Sequence, residues 1–152
     1  MMQLPYVHSF KNLVAYQKSR ALASAVFVAS KGFPREEMYS LTDQVRRSSG
    51  AVGANIAEAW AKREYEKHFI SKFTDADAEQ LETQHWIEVA QDCGYLSQQQ
   101  AKTLVAQSEE VGRLVGSMIA RASSFCSTRS VREPIPQYLL AADDDPDDGA
   151  LL

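Results

Sequence analysis

The sequence predicts an all-α protein: an antiparallel up-down-up-down four-helix bundle over residues 1–126, followed by a disordered, flexible acidic tail over residues 127–152. Three observations predict it. Apolar and small residues recur at three- and four-residue steps in four long stretches, as on a helix with one buried face. No stretch alternates apolar and polar residues for long enough to suggest a half-buried strand. The connections are short, which makes sequence neighbours antiparallel. A chain of 152 residues, 45% of them hydrophobic and only 7 Gly and 5 Pro, has material for one core.

Ser9 is the expected N-cap of the first helix, which presents Phe10, Leu13, Val14, Gln17, Ala21, Ser24, Phe27 and Val28 until Gly32 and Pro34 end it. Ser40-Leu41-Thr42-Asp43 resembles a capping arrangement for the second helix, whose stripe is Val45, Val52, Ile56 and Trp60. Between Ser48 and Ala54 every residue except Val52 is Ser, Gly or Ala. Gly50 and Gly53 each cost a helix interior about 1 kcal/mol relative to Ala, so this segment is expected at a tight helix crossing. The third helix carries Phe69, Phe73, Ala76, Leu81, Trp86, Ile87 and Val89, with Gly94 as its stop. Ser97 caps the fourth, whose stripe runs from Ala101 through Leu104, Val105, Ser108, Val111, Val115, Met118 and Ile119 to Ala122 and Phe125. Beyond Ser127 the pattern gives way to Pro134, Pro136 and an Asp run, read as loose chain. The Tyr138-Leu139-Leu140 cluster within it is the one part with the chemistry to dock on a neighbouring surface.

The net charge of −4 is unevenly placed. Residues 133–152 hold six acids and no Lys or Arg, whereas residues 1–126 balance 14 basic against 14 acidic residues. Within that bundle, residues 1–72 have 11 basic and 6 acidic residues and residues 73–126 have 3 and 8, so the first hairpin is positive and the second negative. No run reaches the roughly 20 apolar residues of a spanning helix, and the N-terminus has no basic stretch followed by an apolar segment, so a cytoplasmic protein is expected. Cys93 and Cys126 match no metal or redox spacing and are read as reduced, partly buried packing residues.

Catalytic chemistry finds no footing. A di-metal carboxylate bundle needs two Glu-x-x-His pairs, and Glu82 with His85 is the sole pair, so no metal and no cofactor are expected. No nucleophile elbow, dinucleotide fingerprint or phosphate-binding loop is present, and the protein is read as a non-enzyme. Glu58, three residues after Asn55 in an apolar and small stretch, is expected to be a buried acid with a hydrogen-bonding or ionic partner. Binding chemistry is better represented. Arg46, Arg47, Lys62, Arg63, Lys67 and Lys72 stand against only Glu58, Glu64 and Glu66, and antiparallel packing gathers Lys62, Arg63, Lys67 and Lys72 near one end of the bundle. Such cations bind nucleic acid by neutralising phosphates.

Several motifs carry a family resemblance. Phe10 with Leu13 and Gln17, Phe33-Pro34-x-x-Glu37, Tyr39-x-Leu41-Thr42-x-Gln44-x-Arg46-Arg47, Val52-x-x-Asn55-Ile56-Ala57-Glu58, Glu79-x-Leu81-Glu82 and Gly94-Tyr95-Leu96 together resemble the four-helix-bundle proteins encoded within ribosomal RNA intervening sequences, over about residues 8–125. The resemblance implies an antiparallel bundle assembling as a homopentamer. It also implies similarity to the accessory variability protein of diversity-generating retroelements, a basic pentameric barrel that binds nucleic acid and a reverse transcriptase. Gln44, Arg47, Asn55 and Glu58 match the structural motif, where Arg47, Asn55 and Glu58 fix helix packing and subunit contacts. Two departures stand out: Ala59 replaces the usual Gly, and Asp75 and Asp77 occupy positions that are normally neutral or basic, which lowers the expected nucleic-acid affinity.

The expected function is therefore a homo-oligomeric, non-enzymatic adaptor contacting structured RNA or DNA through basic helix ends, alone or with a protein partner such as a reverse transcriptase. The alternative is a structural or protein-interaction module in which the positive hairpin of one subunit meets the negative hairpin of the next, leaving little charge for phosphate.

Overall fold

The computed structural model describes residues 7–126 and 135–141. Four long helices, α1 (Val14–Ser30), α2 (Leu41–Ala61), α3 (Glu66–Asp92) and α4 (Gln98–Ala120), form the bundle, and a single turn, α5 (Ala122–Phe125), extends it. Each long helix packs on its sequence neighbours and α1 closes the ring against α4, with α2 and α3 in the most extensive contact. The described residues contain no strand, as the absence of period-two patterning requires.

Helix ends follow local chemistry with two corrections. Ser9 caps a 3-10 turn at Phe10–Asn12, its hydroxyl accepting from the Lys11 N–H, and α1 begins only after Leu13, which is held extended. The N-terminus of α2 is not served by its own Ser40 side chain. Glu37 does this work from the preceding 3-10 turn: its carboxylate accepts from the Leu41 N–H at 3.3 Å and from the Ser40 hydroxyl, and its other oxygen accepts from Tyr95 at 3.0 Å. Bonds from Ser40, Tyr95 and Leu41, in that order, hold Glu37 below the usual carboxylate range. Tyr95 also packs against Phe33 at a tilt of 42°, with centroids 5.7 Å apart. The Phe33-Pro34-x-x-Glu37 and Gly94-Tyr95-Leu96 motifs thus meet at one end of the bundle and join its first and last connections.

Gly94 stops α3 with φ +78°, and the N–H groups of Gly94 and Tyr95 donate to Gln91 and Ala90 carbonyls, a Schellman arrangement that only a residue tolerant of positive φ closes cheaply. Ser97 caps α4, and Gln100 reaches back to complete a capping box.

The buried stripes of α2 and α4 follow the predicted spacing, with Val105 and Ile119 of α4 only partly buried at its edge. That of α1 does not. Its buried residues are Ala15, Ser19, Leu22, Val26 and Ser30, while Ala21, Ser24, Phe27 and Val28 face outward. Both faces of α1 carry apolar residues, and the buried one sets Ser19 against Gly53 of α2, where an added Cβ would lie 3.0 Å from Ser19 Oγ, with Leu22 and Val26 filling the core beside it. Phe27 is instead covered by the cations of Arg46 and Lys31, 4.6 and 5.0 Å from its centroid. Gly50, expected at the same crossing, faces open space. Leu81 of α3, read as core, is exposed.

The bundle interior includes a polar layer. Thr83 of α3 places its hydroxyl 2.9 Å from that of Ser48 on α2, and Ser108 of α4 bonds the backbone and side-chain oxygens of buried Gln80 at 3.0 Å each. Gly112 leaves the space for Gln80, whose amide nitrogen would lie 2.7 Å from an added Cβ. Cys126 is buried, but Cys93 is exposed at the C-terminal end of α3, against the expectation of a packing role.

The C-terminal segment also departs from expectation. Residues 135–141, assigned from sequence to the loose tail, pack against the start of α1: Gln137–Leu139 forms a 3-10 turn, Leu139 is fully buried, Leu140 bridges Leu13 in antiparallel fashion, and Ala141 N–H donates to the Asn12 carbonyl at 2.8 Å. The rest of the predicted tail, 127–134 and 142–152, lies outside the described residues.

Candidate nucleic-acid interface

The structure separates the six candidate cations into a group of three, a pair, and Lys72 alone. Lys62 and Arg63 follow the last residue of α2, and Lys67 lies in the first turn of α3, so the α2–α3 connection holds three cations together. Arg46 and Arg47 lie some 15 residues earlier on α2, about 22 Å away at the helical rise, and belong to a different part of the surface.

That pair is occupied. Arg47 donates to Glu79 at 3.4 Å and to Glu82 at 2.5 Å, bridging α2 to α3. Burial first, and Glu82 next, push Glu79 above the usual carboxylate range, and its Oε2 is buried with no hydrogen-bond partner among the described residues. Burial penalises charge on Glu82 too, but bonds from Arg47, Glu79 and the Trp86 indole hold its pKa lowered. Arg46 lies over Phe27 and donates to the Ser30 hydroxyl at 2.7 Å, which fastens α2 to α1.

Lys72 is also spent. It pairs with Glu58 at 2.7 Å and lies 3.8 Å from Asp75, so its pKa is raised chiefly by the Glu58 bond. Glu58 is consequently not the buried acid that its apolar surroundings in sequence suggest; it is an exposed carboxylate, held below its ordinary range by Lys72. Ala54 and Ala61 share its outward side of α2 whereas Gly53 and Ala59 are buried, and a sequence stretch does not reveal which face a neighbour covers. Asn55 donates to the Ala51 carbonyl of its own helix, and Gln44 lines a shallow groove with Glu37, Leu41 and Trp86.

At the α2–α3 connection the cations meet aromatic rings. Arg63 lies over the Trp60 ring at 4.3 Å and donates to the Trp60 carbonyl at 3.0 Å. Tyr65, 63% exposed, lies against the exposed ring of His68 with centroids 5.5 Å apart. No ion pair to Lys62, Arg63 or Lys67 is formed among the described residues. Sequence reasoning missed Tyr65; its signal is an aromatic residue off every buried stripe and between cations. The other partner it missed is the Glu79 and Glu82 pair for Arg47: their i,i+3 spacing places both on one face, but not opposite a given arginine.

Fold and site together define a class: an antiparallel four-helix bundle with a cationic, aromatic inter-helix turn, and no cluster of three or more metal-ligating residues among the described residues. The model of the 23S rRNA-intervening sequence protein family matches residues 11–117, and the chain belongs to that family. A solved structure of a protein of unknown function from the S23 ribosomal protein family of Bacteroides thetaiotaomicron is similar at 29% identity with a TM-score of 0.64, covering 70% of this chain and 98% of its own. No curated protein matches the chain. No helix among the described residues is long and apolar enough to cross a membrane.

Proposed function

We propose that the protein is a non-enzymatic, homopentameric adaptor that contacts structured RNA or DNA through the α2–α3 turn. The observation that carries the binding half is the difference between the cations already in ion pairs and those of the α2–α3 turn. Arg47 and Lys72 already face carboxylates, whereas Lys62, Arg63 and Lys67 project from one turn with no carboxylate in ion-pair range among the described residues. Lys62 feels only the longer-range attraction of Glu58, and charges held in no close ion pair are those that release counterions on meeting phosphate. The pentamer, and a protein partner such as a reverse transcriptase, are proposed from the family resemblance.

The rival reading, in which oppositely charged hairpins pair between subunits, is weakened by contacts inside one bundle. Arg47 meets Glu79 and Glu82, and Lys18 of α1 meets Glu110 of α4 at 3.5 Å, so part of the hairpin polarity is neutralised within the protomer.

Retention of a structured RNA and of single- and double-stranded DNA over a salt series tests the binding half, and light scattering tests the assembly, with a mass about five times 16.9 kDa expected. Lys62→Ala with Lys67→Ala is expected to flatten the salt slope by roughly 1.4 to 1.8, two phosphate contacts' worth. Arg47→Ala is expected to leave that slope unchanged and to lower unfolding free energy by about 1 kcal/mol, a value kept small because the guanidinium is half exposed. A stable monomer would sink the assembly, and absence of binding at low salt would sink the interface.

A further inference from the structure

We propose that the α2–α3 turn takes single-stranded nucleic acid, with the Tyr65 and His68 rings stacking on unpaired bases and Lys62, Arg63 and Lys67 holding the flanking phosphates. The inference rests on the polyanion reading above and narrows it to a strand whose bases are free to unstack.

Charge at the turn is too slight to act alone. Glu64 and Glu66 lie within the same stretch as the three cations, so little net positive charge is left for a continuous phosphate lattice. A duplex offers this surface phosphates and buried base faces, and so gains only that weak electrostatic term. An unpaired strand offers base faces as well, and a base on an aromatic ring gains free energy independent of sequence.

The rings are placed for it. Tyr65 is the residue before α3, in extended conformation, which turns its ring away from the core occupied by Phe69. The tilt of 43° between Tyr65 and His68 makes a two-ring surface, not a closed stack, and both residues are exposed. Arg63 is fixed by Trp60 on one side, leaving its remaining N–H donors for a phosphate, and a guanidinium held in place loses less freedom on binding than a loose one. Structured RNA satisfies these requirements at its loops and bulges.

The test uses the full chain and fluorescence anisotropy with a 12-nucleotide oligouridine and a 12-base-pair RNA duplex. The single strand is expected to bind more tightly, and Tyr65→Ala to weaken it by about five- to a hundredfold while changing duplex affinity little. Tyr65→Phe should retain single-strand affinity, and His68→Ala should reduce it. All of these positions are exposed, so unchanged helical circular dichroism is expected for every variant. Duplex binding as tight as single-strand binding, with Tyr65→Ala without effect, would overturn this inference and leave the polyanion reading standing. No binding of either probe at low salt would overturn both.

Discussion

Phe69→Ala is expected to lower the unfolding free energy by about 3–5 kcal/mol. Phe69 is fully buried in the first turn of α3, 4.8 Å from the Phe73 ring and stacked on Phe125 of α5 at 6.1 Å, while Phe125 packs edge-on to Trp60 at the end of α2. Phe69 therefore joins α3 to α5 directly and Phe125 carries the cluster on to α2, so truncating Phe69 removes the transfer free energy of a ring and leaves a cavity that aromatic neighbours on different helices cannot collapse into together. Against a total of about 5–15 kcal/mol for a domain, this is a large fraction, and the melting temperature is expected to fall by roughly 10 °C. Urea denaturation followed by circular dichroism reads the loss directly. A change below about 1 kcal/mol would show that the ring is not enclosed as described. The same cluster underlies the Lys62–Lys67 turn, so its loosening is expected to impair whatever that turn binds.

Leu139→Ala is the second large effect, expected at about 2–3 kcal/mol, while Tyr138→Ala should stay within about 0.5 kcal/mol. Leu139 is fully buried and Tyr138 is 55% exposed, although the two are adjacent in a stretch that reads as tail. The value for Leu139 sits at the lower end of the range for buried leucines because the short segment carrying it is able to detach instead of leaving a rigid void, exposing Leu13 as it goes. Equal, small effects at both positions would mean that residues 135–141 do not pack on α1. A chain ending before Pro136 should reproduce the Leu139→Ala loss, since it removes the same burial and also the Ala141 bond to Asn12.

How much of this was legible depended on what kind of information each feature needs. The stripes of α2 and α4 were readable because one face is apolar and the other polar, so periodicity has a single phase. On α1 it has two, and the visible large residues, Phe27 and Val28, pointed to the wrong one. Gly53 and Gly50 were equally conspicuous in sequence, yet only Gly53 meets a neighbour. For the candidate site, residue type located the cations and chain order brought Lys62, Arg63 and Lys67 to one turn. Residue type also drew in Lys72, whose charge Glu58 cancels, and grouped with them Arg46 and Arg47, which the folded chain places elsewhere.

The sequence by itself determined the all-α class, the four helices, the Gly94 and Ser97 boundaries, the family, and the uneven distribution of charge. These depend on local propensity and on patterns repeated along one segment, which sum over many residues and tolerate individual errors. Only the tertiary structure decided which charges remain available, that Glu58 is exposed, and that Leu139 is buried. Each of those turns on a single contact between residues distant in the chain, and the partner across a helix interface is set by rotation and register, which no one-dimensional pattern specifies.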